Sequence, residues 1–175
     1  MLEGLRDILG GEARTLFVPG EPFPAPRPHV IGMGAPCRTC KKRPLTRVIN
    51  GEGASARKYE DWRRAIKNHA IVSDMELAAR PTPVAMLLVF QITPPRTMLR
   101  ANGEIIGGER RRTVPTGASD GDTDNLAKAV LDSLDGILFD NDSQVAPLIV
   151  DKVWALGDHT PGVTITYLPL PETKQ

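Results

Sequence analysis

A single domain holding both helices and a sheet is the expectation for this chain, on three observations. Two segments carry apolar residues at three- and four-residue spacing. Four shorter runs are strand-like. The length of 175 residues is that of one domain able to bury its own core.

The elements follow in chain order. Residues 2–10 predict one short helix. TLFVP (15–19) predicts the first strand. GEPFPAPRPH (20–29) is punctuated by proline and must be extended or turning. Residues 32–54 hold both cysteines and many basic residues, which predicts a basic insert around Cys37-x-x-Cys40. A helix is expected from Ala56, because Tyr59, Trp62, Ile66 and Ala70 form an apolar stripe. Lys58, Arg63, Arg64 and Lys67 fall largely off that stripe. VAMLLVF (84–90), preceded by Pro81 and Pro83, predicts a strand that runs to about Thr93. Residues 94–119 form a long stretch with few large apolar side chains, expected as a flexible loop carrying Arg96, Arg100 and the run Arg110, Arg111, Arg112. Asn102-Gly103 is a hairpin signal within it. The second helix is predicted over 123–135, with Leu126, Val130, Leu134 and Ile137 as its stripe and Ala127, Leu131 and Leu138 widening it. Asp122 or Thr123 serves as its N-cap, and Gly136 stands where a stop is expected. Two strands follow, at 145–156 and 163–168, joined at GDHTPG.

Composition excludes several classes. The apolar share of 41% and charged share of 25% are those of a soluble globular chain. No apolar run approaches the roughly 18 residues of a membrane helix. MLEGLRDILGG lacks a basic start followed by an apolar stretch, so no secretory signal is expected. Two cysteines make no disulfide framework, and a reducing, cytoplasmic setting is expected. The net charge of +1 conceals a division of sign. Between Arg27 and Lys67 there are eleven Lys and Arg against three acids; between Asp120 and Asp158 there are nine Asp against two Lys. A basic surface beside an acidic pocket suits an enzyme that holds a polyanion and cuts it with metal. Solvated faces that happen to differ in sign are the bland alternative.

DGDTDN (120–125) concentrates the question. One Asp or Thr suffices for a cap and leaves the other acids unexplained. A calcium loop needs Gly at its sixth position and Glu at its twelfth; the chain has Asn125 and Leu131. A phosphatase or sugar-nucleotide DxD motif follows a buried strand, and TVPTGAS is a poor one. A catalytic Mg²⁺ site remains. Mg²⁺ keeps several waters and needs only a few hard carboxylate oxygens besides the substrate phosphate. Asp122 and Asp124 can converge on one ion, with Lys128 one turn on along the same face. FDNDSQ (139–144) offers Asp142 as a third ligand. A helix of 13 residues is about 20 Å long, so Asp142 reaches Asp124 only if the chain doubles back.

DTDNLAKAVLDSLDGILFDNDSQ (122–144) resembles the signature of the RusA-type Holliday junction resolvases: D-x-D-N-L-x-K, an Asp eight residues after the second, then a D-D-x-Q turn. Asp122, Asp124, Asn125, Leu126, Lys128, Asp132, Asp142 and Gln144 match. Asn141 departs, standing where the first Asp of the pair is expected. FVPGEPFPAPRP resembles the family's opening strand and basic turn, with Arg27 at a DNA-contact position, and KYEDW suits its first long helix. The resemblance implies an α+β fold, a small mixed β-sheet packed against two main helices, in a homodimer. It implies Mg²⁺-dependent cutting of four-way DNA junctions by paired nicks, with Mn²⁺ as a substitute, in recombination and repair and often in phages and prophages. Asp122, Asp124 and Asp142 would hold metal, and Lys128 would act on the charged phosphate. Arg27, Lys58, Arg63, Arg64, Lys67, Arg110, Arg111 and Arg112 would grip backbone. Two alternatives stay open: a branched-DNA-binding module without activity, and a flap or branch nuclease.

Cys37 and Cys40 are half of a four-ligand zinc site. Completing it needs His29, His69 or a second copy of the chain. Two ordinary thiols in a basic loop is the equal alternative. His159 reads as a surface turn residue, and Trp62 and Trp154 as core. Asp132, four residues after Lys128, also reads as its helical ion-pair partner.

Overall fold

The computed structural model describes residues 13–26, 29–32, 37–41, 45–49, 53–73, 75–101, 104, 106, 114–117 and 120–171. The helix expected over 2–10, Arg27 and Arg110 to Arg112 lie outside the described residues.

The architecture is α+β: a mixed four-stranded sheet with two helices on one face. Its strands are β1 (Arg14–Pro19), β4 (Val84–Ile92), β5 (Val145–Trp154) and β6 (Gly162–Pro169). Their order is β1-β6-β4-β5. β6 runs antiparallel to both neighbours, while β4 and β5 are parallel. A parallel pair needs a long crossover, and helix α2 (Thr123–Leu134) supplies it. Helix α1 (Ala54–Val72) lies beside α2 on the same face.

Sequence patterns explain the layers. α1 buries Tyr59, Trp62, Ile66 and Ala70, the predicted stripe. α2 buries Leu126, Ala127, Ala129, Val130, Ser133 and Leu134. Ser133 is tolerated there because its hydroxyl donates to the Ala129 carbonyl at 2.6 Å. Both stripes meet Val84, Met86, Leu88, Phe90 and Ile92 of β4, with Val163, Ile165 and Tyr167 of β6 and Val18 of β1. Ala85 and Leu87 on the opposite face of β4 are buried too, so this central strand reads as an unbroken apolar run. β5 is an edge strand, and Pro147 falls where its pairing with β4 shifts register, a position that spares a ladder bond. Any side chain on Gly162 would strike the Val18 carbonyl, its Cβ lying 2.4 Å away, so glycine permits the close approach of β1 and β6.

The basic insert is more ordered than its composition predicts. β2 (His29–Gly32) and β3 (Leu45–Ile49) pair antiparallel as a separate two-stranded sheet. Cys37 to Cys40 lie between them. The chain also reverses within the long Arg-bearing stretch, where Ile106 N donates to Met98 O at 2.9 Å.

Candidate active site at the start of the second helix

The DGDTDN turn leads into α2, and each of its acids has a different environment. Asp120 is 7% exposed, and its Oδ2 accepts from Gly117 N at 2.7 Å. It ties Gly117 of the incoming loop to the turn. Gly121 has φ +77°, and a Cβ there would lie 3.3 Å from Leu126, so only glycine fits comfortably. Asp122 is the N-cap residue, but its side chain caps no backbone N–H. Its main-chain oxygen starts the helix by accepting from Leu126 N at 3.0 Å. Its Oδ2 lies 3.5 Å from the side-chain nitrogen of Asn125. Asp124 is exposed in the first turn, where negative charge suits the helix dipole. Two carboxylates thus stand at the solvent edge of a helix N-terminus.

Lys128 follows one turn later, exposed, with Nζ 3.2 Å from Asp132 Oδ1. The predicted i,i+4 pair is present. Asp132 in turn joins the two helices, because its carbonyl accepts from Arg63 at 2.9 Å. Arg63 also stacks over the Tyr59 ring at 5.5 Å. Burial pushes the Tyr59 hydroxyl above its ordinary pKa; the Arg63 charge opposes that rise and Asp132 adds to it.

Lys152 is a site residue the sequence reading missed. Its Nζ donates to the Gly121 carbonyl at 2.9 Å, so a cation from the C-terminal end of β5 braces the acidic turn. Nothing in its local sequence announces this; the parallel register of β4 and β5 decides it. The proline-rich turn is pinned to the same place, Ala25 N donating to Asn125 O at 2.9 Å.

Asp142 is elsewhere. α2 has 12 residues, a span of about 18 Å. Its C-terminal end packs where β4 begins: Ala78 N donates to Leu138 O, and Gln144 Nε2 donates to the carbonyls of Ala78 and Thr82, each at 2.9 Å. β5 then starts beside Val84 and returns toward Gly121. Asp142 therefore lies at the opposite end of α2 from Asp122 and Asp124, and the chain does not double back. Among the described residues no group of three His, Cys, Asp or Glu is placed to hold a metal ion.

The turn around Asp142 is built for rigidity. Asn141 Oδ1 accepts from Ser143 N at 3.1 Å, and Gln144 Oε1 accepts from Asn141 N at 3.0 Å, a reciprocal cap. Either Asn or Asp can accept at that position, which accounts for the departure at Asn141. Asp140 accepts from Arg80 N at 2.9 Å.

The predicted DNA-gripping residues divide. Lys58 and Arg64 are exposed on α1. Arg64 pairs with Asp61. Lys67 is half-buried. Arg63 is spent on the α1–α2 contact. Cys37 and Cys40 are exposed, and Cys37 Sγ accepts from Cys40 N at 3.5 Å. The backbone N–H groups of Cys40 and then Thr39 hold the Cys37 thiol below its ordinary pKa. His69 is on α1 with Nδ1 2.8 Å from the Ala65 carbonyl.

Comparison with known families places the chain. A family model described as Endodeoxyribonuclease RusA matches residues 19–167, from the end of β1 to β6. The class is thus an endodeoxyribonuclease, a hydrolase acting on DNA. The chain belongs to the RusA family. No curated protein matches it. No helix among the described residues is long and apolar enough to cross a membrane.

Proposed function

We propose that this endonuclease resolves four-way DNA junctions as a Mg²⁺-dependent homodimer, nicking two strands of like polarity symmetrically. One observation carries the reading. Asp122, Asp124 and Lys128 stand together on the first two turns of one helix, in a chain of the RusA family. Hard carboxylate oxygens fit Mg²⁺ or Mn²⁺, and Mg²⁺ needs only one or two of them besides substrate phosphate. Asp122 and Asp124 would hold it. The bound ion would supply a Lewis acid and a more acidic water beside the scissile phosphate. Lys128 brings a positive charge to phosphate oxygens as negative charge builds on them. The products would carry a 3′-hydroxyl and a 5′-phosphate. Lys58, Arg64 and Lys67 would contact backbone, favouring shape over base sequence.

Asp142 enters this reading through the dimer. One chain keeps its third carboxylate a helix-length from the first two. A second copy, related by a two-fold axis with its α2 antiparallel, would bring its own Asp142 to them. Leu77 and Leu148 near the Asp142 end are 46% and 37% exposed, as a surface awaiting a partner would be.

Two inactive variants test this together. Asp122→Asn and Asp142→Asn, each alone, are expected to bind a synthetic junction at least as well as the wild type and to cut it at least about a hundredfold more slowly. Mixed and allowed to exchange subunits, they regain one intact site per heterodimer if the site is shared, and single nicks return. No recovery in a verified heterodimer refutes the shared site. Full cutting by either variant refutes that residue's assignment. Lys128→Ala is expected to cut almost nothing while remaining folded. Junction, flap and linear duplex are compared in Mg²⁺ and in EDTA. Flap cutting alone would make this a flap nuclease.

A further inference from the structure

Beside the start of α2 lies a cleft of about 700 Å³, of whose lining the proposal above uses Lys58 alone. Its walls are the proline-rich turn after β1, the Lys58–Ala65 side of α1, Ile92 and the Asp120–Gly121 turn. It therefore adjoins Asp122 directly, and the Ala25–Asn125 hydrogen bond fixes its near wall to the first turn of α2.

The lining narrows the ligand. Apolar side chains form one part: Phe23, half-buried, with Trp62 and Ile92, which are otherwise packed in the core. The Trp62 indole N–H is buried with no acceptor among the described residues. The polar part holds three carboxylates, Glu21, Asp61 and Asp120, against one lysine, Lys58. That excess of negative charge disfavours a phosphate. Among the described residues no three acids here are placed to hold a metal. Each carboxylate already accepts from within the chain: Glu21 from Thr93, Asp61 from Arg64, Asp120 from Gly117. A carboxylate has about four acceptor positions, so the exposed Glu21 and Asp61 can each take a further donor. What fits is an uncharged planar group with apolar faces and N–H donors on its edge, presented next to a cut phosphate.

We propose that the cleft seats one unstacked nucleobase beside the scissile phosphate, resting on the Phe23 and Trp62 wall and read on its amino edge by the carboxylates. The inference rests on the metal site proposed at Asp122 and Asp124. Opening a junction at its exchange point removes a stacking neighbour from the flanking bases, which lowers the cost of extrusion. Stacking on aromatic side chains tolerates any base, whereas carboxylate acceptors disfavour thymine, whose single edge donor, N3–H, lies between two carbonyl oxygens that a carboxylate repels.

Photo-crosslinking of the full-length protein tests this directly. 5-Iodocytosine is placed at each nucleotide around the crossover of a synthetic junction, bound in EDTA and irradiated. One position is expected to dominate, with the adduct mapping to the peptide carrying Phe23 or Trp62. No adduct, or an adduct only outside the cleft, overturns the proposal. At the dominant position, thymine is expected to weaken binding at least threefold relative to cytosine, adenine or guanine; equal affinity for all four overturns it. Ala65→Trp, which fills the cleft, should reduce the crosslink at least tenfold while junction binding persists. An undiminished crosslink in that folded variant also overturns it. Because no step reads cleavage, failure here is separate from failure of Asp122 and Asp142 to act in catalysis.

Discussion

Asn141 shows what a single departure from a motif means physically. Its side chain accepts the Ser143 N–H and its own N–H is taken by Gln144, so the position asks for a short acceptor and not for a charge. Asn141→Asp is expected to leave stability within about 0.5 kcal/mol and junction cutting unchanged, as measured by urea unfolding and a cleavage time course. A large gain in cutting would show that the missing charge had mattered. Gln144 is the costlier neighbour. It is 8% exposed and serves Ala78, Thr82 and Asn141 at once. Gln144→Ala would strand buried carbonyls and leave a void. It should cost about 2–4 kcal/mol in urea unfolding. The sequence marks both residues only as motif positions. Two partners of Gln144, Ala78 and Thr82, lie 66 and 62 residues away, so no local reading finds them.

At the level of the element, α2 was legible almost completely. Its apolar spacing marks the buried face, and Gly136, with φ +72°, stands just past its end as expected. The capping expectation was only half right. Asp122 occupies the N-cap position, but its side chain makes no capping hydrogen bond. Gly121 sets the approach. Gly121→Ala forces a positive φ on a residue with a Cβ and crowds Leu126 at 3.3 Å. The expected cost is about 1–2 kcal/mol by thermal or urea unfolding, with a larger loss of cutting than of stability. Equal losses would mean the turn serves the fold alone. The two-stranded β2–β3 sheet was not legible, because glycine and basic residues obscure its short alternation.

Across the whole molecule, the buried network at the Asp142 end gives a pH signature. The Tyr167 hydroxyl reaches the carbonyls of Leu138 at 2.9 Å and Glu76 at 3.2 Å, joining β6 to the segments on either side. Burial raises its pKa above the ordinary value. A raised pKa means that the folded state holds its proton more tightly than the unfolded chain. That contribution is complete below about pH 10 and is lost as pH rises through the folded value. Stability followed by urea unfolding should therefore decline above about pH 10. Tyr167→Phe should lower neutral-pH stability by about 1–2 kcal/mol and shrink that decline. An alkaline decline identical in the variant would place its origin elsewhere.

Spacing and residue type alone determined both helices, the four strands of the main sheet, and the signature of Asp122, Asp124, Lys128 and Asp142. Those features rest on periods of two and 3.6 residues and on motif order, which are properties of the linear chain. The tertiary structure decided the distances. A 12-residue helix is stiff, and the parallel pairing of β5 with β4 forces the chain to begin its return at the far end. That places Asp142 away from the other two carboxylates, brings Lys152 to Gly121, and opens the cleft beside them.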